Sequence, residues 1–117
     1  MNRLETLRNS LLAIVPMGAV AIASAAVTAS NPSTVTPGST FTYATFGSGD
    51  VIFQMSSSGL SQCSGFWLRG TDPGFKSLYA GLLMATTTQA TITVYADPAQ
   101  IWTGSGSPYC LVYSIAQ

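Results

Sequence analysis

The 117-residue chain contains no histidine. A Ser-His-Asp or Cys-His catalytic arrangement is therefore excluded, and zinc loses its commonest nitrogen ligand. Charge is nearly as scarce: four Lys or Arg balance four Asp or Glu, 7% of the residues, for a formal net charge of zero. Beyond residue 29 the only cations are Arg69 and Lys76, and the only anions are Asp50, Asp72 and Asp97. Two cations cannot neutralise a run of phosphates, which sets nucleic acid aside as a partner. Each aspartate has an ordinary local role. Asp72 suits a helix N-cap, Asp97 a turn before Pro98, and Asp50 a hairpin turn. Nothing places two of them together for acid–base work or supplies a metal with enough ligands. The expectation is no catalytic residue, no metal and no cofactor. A hydrolase is the weakest of the functional readings. The glycine pairs around Ser48 and Ser105 lack any phosphate-cradle pattern and read as hairpin turns.

Long apolar runs are confined to the start. Residues 1–8 carry Arg3 and Arg8 against Glu5, residues 11–23 are almost wholly apolar, and Ala23-Ser24-Ala25-Ala26-Val27-Thr28-Ala29 follows. A basic start, an apolar middle and a small-residue end make a secretory signal peptide, assigned to residues 1–29. Cuts after Ala25, Ala26 or Ala29 all fit. The alternative is a retained anchor, since residues 11–29 approach the roughly 20 residues that span a bilayer. The Ala-rich second half, and the lack of a basic cluster after it, favour removal and hence a secreted or periplasmic protein without stable membrane insertion. A cut after Ala29 leaves 88 of the 117 residues, small enough for a staple to be expected. The only two cysteines, Cys63 and Cys110, read as one disulfide, worth roughly 4 kcal/mol on the chain-entropy model.

Residues 30–39 hold Pro32, Pro37 and Gly38 without apolar periodicity and read as a leader into a domain of residues 40–117. Alternation predicts strands over residues 40–46, 51–56 and 91–97, the apolar and aromatic run of residues 63–69 a further one, and residues 109–115, which carry Cys110, the last. Between the third and fourth, Asp72 and Pro73 suit a helix start, and Phe75, Leu78, Tyr79, Leu82 and Leu83 form an i, i+3, i+4, i+7, i+8 stripe. The β-branched run Thr86-Thr87-Thr88 fades the helix, and Asp97-Pro98 breaks the fourth strand. The order β-β-β-α-β-β is the layout of the five-stranded, partly open barrel called the OB-fold, with one packed helix. A small α+β sheet carrying one helix fits the same string.

Particular residues add a resemblance. Phe66-Trp67-Leu68, Thr71-Asp72-Pro73-Gly74-Phe75-Lys76, Leu78-Tyr79-Ala80 and Leu82-Leu83 are followed by Ile92-Thr93-Val94-Tyr95-Ala96, Ile101-Trp102 and Tyr109-Cys110. Together they resemble the B subunits of subtilase cytotoxin and typhoid toxin and the small exported bacterial proteins similar to them. The resemblance runs over residues 40–115 and is strongest over 63–113. It implies an OB-fold barrel, an intrachain disulfide and, for the toxins, a pentameric ring that binds sialylated or related glycans. The matched positions are mostly core and disulfide positions, so they bear on fold more than on ligand.

Aromatic and hydroxyl side chains supply the candidate ligand contacts. Trp102 lies beside Thr103, Ser105 and Ser107, whose hydroxyls suit a polar ligand; stacking on a sugar and burial in the fold are equally open for it. Trp67 suits the core or a subunit contact. Arg69 is a candidate for a ligand carboxylate, and a surface salt bridge to Asp72 is the simpler alternative. The reading of the whole is a secreted homo-oligomeric protein that binds a glycan or another extracellular molecule. Its rival is an exported structural or protein-interaction module without a sugar site.

Overall fold

Alternation in the central strands sends apolar side chains to both sides of one sheet. The computed structural model describes residues 26–117; the signal-peptide reading lies outside that range except for its last four positions. The elements are β1 (Thr28–Ala29), β2 (Phe41–Thr42), a 3-10 turn (Phe46–Ser48), β3 (Val51–Phe53), β4 (Gly65–Leu68), α1 (Phe75–Thr88), β5 (Thr93–Ile101) and β6 (Tyr109–Ala116). The protein is mainly β with one helix. The six strands form a single mixed sheet in the order β1-β5-β6-β4-β3-β2. All neighbours are antiparallel except β4 and β6, which run parallel with Phe66 opposite Cys110. The connection between those two carries α1 and β5, as a parallel pair requires a long crossover.

Two expectations of the five-strand barrel are corrected. The sheet has six strands, because Thr28 and Ala29 pair with Ala96 and Tyr95 of β5. It is also open, because the two edge strands, β1 and β2, are each two residues long and do not pair with one another. β2 is short for a local reason. Past Thr42 the chain coils into the 3-10 turn, with Gly47, Ser48 and Gly49 all at positive φ. Gly47 and Gly49 suit that conformation because they carry no Cβ, whereas Ser48 at φ 75° takes it against its preference.

The segment read as a leader is tied to the sheet on both flanks. Ser33 bridges Ile92 beside β5, and Val35 bridges Met55 beside β3. Val35 is wholly buried in the main core.

That core lies between the sheet and α1. Val51, Phe53, Phe66, Leu68, Val94 and Val112 meet Leu82 and Ala85 of the helix there. The intervening residues, Ile52, Trp67 and Leu111, point the other way and build a second cluster with Trp102. A strand buried on both faces reads as a continuous apolar run, which is what Val51-Ile52-Phe53 and Phe66-Trp67-Leu68 show.

Helix α1 buries Leu82 and Ala85, with Phe75, Leu78 and Tyr79 packed alongside. Leu83, expected on the same stripe, is exposed. Asp72 does not cap the helix: the N-cap is Gly74, without a side-chain bond, and Asp72 binds Arg69 instead. Nor does the threonine run end the helix early. Thr86 and Thr88 donate their hydroxyls to the Leu82 and Met84 carbonyls at 2.8 Å and ride in the last turn. Gln89 closes it at φ 55°, its N–H bonded to the Ala85 carbonyl.

Cys63 and Cys110 form a disulfide across a sequence separation of 47. It joins the approach to β4 to the neighbouring parallel strand β6, and thereby staples the two ends of the crossover.

Candidate functional site

A bulge in β5 creates the polar part of the candidate site. Asp97 lies opposite Leu111 and Ile101 opposite Cys110, so Pro98, Ala99 and Gln100 are extra residues with no partners on β6. Pro98 therefore bulges the strand without ending it, correcting the expectation that it breaks there. Proline cannot donate to a ladder, and a bulge removes that demand. The side chain of Asp97 fixes the bulge by accepting the Ala99 N–H at 2.9 Å. Bulges re-aim side chains, and this one presents Gln100 towards the end of β4.

Four polar side chains join there in a chain of hydrogen bonds. Arg69 donates from Nε to Oδ1 of Asp72 at 2.8 Å and from Nη1 to Oε1 of Gln100 at 3.3 Å. Gln100 donates from Nε2 to Oδ2 of Asp97 at 2.9 Å. Beneath the arginine, its guanidinium carbon lies 5.8 Å from the ring centroid of Trp67. The indole N–H of Trp67 donates to the Gln100 backbone carbonyl at 3.0 Å, which locks the bulge to the sheet. The guanidinium is thus held by a carboxylate, an amide and a ring, with part of its donor fork still open to solvent.

This rim borders a pocket of about 250 Å³. Leu78, Leu111 and Val112 contribute apolar lining, and Val27 does so from just ahead of β1. Tyr113, 72% exposed, stands beside it as an aromatic surface. Apolar lining with a few fixed polar groups is the usual make-up of a small-molecule site.

Of the five candidate ligand residues, the structure puts only Arg69 on this pocket. Trp102 is 4% exposed. Its N–H donates to Oδ2 of Asp50 at 3.1 Å, and its ring packs among Tyr43, Phe46 and Tyr109 with centroids 5.1–6.1 Å away. It is thereby a core residue with its polar atom committed, and it offers no stacking face for a ligand. Thr103, Ser105 and Ser107 lie exposed in the turn between β5 and β6, where the Ser105 hydroxyl accepts the Ser107 N–H at 3.0 Å. These four do not converge with Arg69.

Gln100, Asp97 and Tyr113 were missed from sequence. The one signal available was the polar stretch after Asp97-Pro98, since a proline inside an alternating run marks a bulge as readily as a strand end. Among the described residues no three His, Cys, Asp or Glu side chains gather as a metal site, and no helix is long and apolar enough to cross a membrane. No family model matches the chain, and no match is found among curated proteins or solved structures.

Proposed function

We propose that the chain is an exported binding protein that holds a carbohydrate in the Arg69–Gln100 pocket, and that it performs no catalysis. One observation carries this reading: the bonded series Asp72, Arg69, Gln100 and Asp97 lies beside an apolar floor and an exposed tyrosine. Sugars present paired hydroxyls to planar side chains such as carboxylate, amide and guanidinium, and an apolar ring face to an aromatic. A sialylated glycan adds a carboxylate for the open side of the guanidinium. A pocket of about 250 Å³ has room for one terminal sugar.

The disulfide supports an oxidising location, outside the cytoplasm. We read the open sheet as a relative of the OB barrel. The segment of residues 30–36, bonded to the flanks of β5 and β3, covers the gap that a strand pair closes in a complete barrel. On that reading the chain would share its fold with toxin B subunits, and we extend the proposal to assembly of several copies. The exposed Phe41 and Phe46 beside the β2 edge suit such an interface.

A second reading has its own observation. On the outer face of α1, Leu83 and Met84 are exposed and line an apolar groove with Ala80, Thr87 and Thr88. That face fits a protein-interaction module without a sugar site.

A glycan array probed with the exported protein, together with native mass spectrometry, separates the two. The carbohydrate reading expects binding to a restricted set of terminal sugars by an oligomer. Binding should be lost in Arg69→Ala and Tyr113→Ala variants that remain folded. A monomer that retains no glycan overturns it.

A further inference from the structure

We infer that export processing cuts the chain after Ala25 or Ala26, and not after Ala29. The inference rests on the export reading and specifies its cleavage site. By residue type alone the three positions are equivalent, since each puts a small or β-branched residue at −3 and an alanine at −1.

The fold distinguishes them. Thr28 and Ala29 are β1, paired with Ala96 and Tyr95 on the outer edge of β5. Ser30 continues the run. Its N–H donates to the Val94 carbonyl at 2.8 Å, and its Oγ accepts the Val94 N–H at 2.9 Å. The same hydroxyl donates to the Asn31 carbonyl at 3.0 Å. Ser30 is only 5% exposed.

A cut after Ala29 does three things to this structure. It removes β1 and uncovers the Tyr95–Ala96 stretch of the β5 edge. It also removes Val27 from the wall of the pocket. Finally, it converts the Ser30 N–H that bonds the Val94 carbonyl into an α-ammonium at the newly opened end of the chain. A cut after Ala25 or Ala26 avoids all three, because the new terminus falls ahead of Val27, where residue 26 is exposed. The end of the apparent signal sequence is thus also the first strand of the domain.

The test is to express the full chain in a secreting bacterium and measure the intact mass and N-terminal sequence of the exported protein. A start at Ala26 or Val27 is expected. A start at Ser30, or at any other residue, overturns the inference while leaving export intact. An uncut chain retained in the cell overturns the inference and the export reading together.

A second measurement compares two oxidised proteins that begin at Ala26 and at Ser30. The shorter form should melt at least about 5 °C lower, the shift expected for roughly 1 kcal/mol in a domain of this size. Equal melting temperatures would show that β1 and the buried Ser30 amide do not constrain processing, and would overturn the physical basis for the assigned cut.

Discussion

The indole N–H of Trp102 reaches Oδ2 of Asp50 at 3.1 Å across a sequence separation of 52, and both residues are almost wholly buried. The other oxygen, Oδ1, accepts the Gly70 N–H at 2.9 Å. One carboxylate therefore joins three places: the turn before β3, the loop entering α1 and the end of β5. Both of its bonds come from donors, so Asp50→Asn, though nearly isosteric, sets an NH2 against one N–H. It should cost about 1–3 kcal/mol, the usual penalty for a buried donor without an acceptor. Trp102→Phe removes one of the donors. In that background the amide group no longer faces an N–H, and Asp50→Asn should cost about 1 kcal/mol less than in the parent. Urea unfolding of the four proteins measures the cycle; strictly additive costs would count against a direct coupling.

The disulfide between Cys63 and Cys110 joins segments 47 positions apart in a domain with a modest core. Limiting the unfolded chain over a loop of that length is worth roughly 4 kcal/mol. Replacing both cysteines by serine should lower the unfolding free energy by about 2–5 kcal/mol. A reductant should then affect the parent only, since the described residues contain no free cysteine. Denaturant unfolding with and without reductant reads this directly, and a parent insensitive to complete reduction would refute it.

How much of this was legible in the sequence depends on whether the signal was local. The alternation of Ile92, Val94 and Ala96, all buried, identified β5, and the stripe from Phe75 to Leu82 identified the helix. Cys63 and Cys110 identified their own bond. The misplaced features depend on contacts far along the chain. Thr28 and Ala29 are strand residues only because β5 offers them an edge, and nothing in their own neighbourhood separates them from a signal-peptide end. Trp102 looked as suited to a sugar as to a core because its buried acceptor, Asp50, belongs to another turn. Asp72 had two local readings, a helix cap and a salt bridge to Arg69 three residues earlier, and the structure shows the second. Four of the five proposed ligand contacts were grouped by adjacency in sequence, whereas the pocket draws on Val27 ahead of β1, the loop between β4 and α1, the first turn of α1, the β5 bulge and β6.

Within that pocket Arg69 is held by Asp72 and Gln100 and keeps part of its fork open. Arg69→Lys preserves the charge and loses the planar donor pair. If the ligand carries a carboxylate, affinity should fall about tenfold, equivalent to roughly 1.4 kcal/mol. Stability should change by less than about 1 kcal/mol, because the arginine and its partner are both partly exposed and such pairs contribute little. Titrating the glycan found on an array against both proteins, alongside their thermal melts, distinguishes a contact from a fold effect. Equal affinities would remove Arg69 from the site.

Two glycines in one turn provide an internal control for the buried position of Trp102. Gly104 lies directly against the Trp102 ring, and a Cβ there would run into Cη2 and Cζ2; at Gly106 a Cβ would meet nothing within 4 Å. Both lie in the exposed stretch of residues 103–108, so composition and solvent contact are matched. Gly104→Ala must push the indole from its place among Tyr43, Phe46 and Tyr109 or shift the turn, at about 1–3 kcal/mol for overpacking. Gly106→Ala should stay within about 0.5 kcal/mol of the parent, as open surface positions do. Tryptophan fluorescence gives a second readout: the first variant should shift the emission of the buried indole and the second should leave it unchanged. Equal stability and equal spectra in the two variants would mean that the turn does not press on Trp102, and would reopen that ring as a surface for ligands.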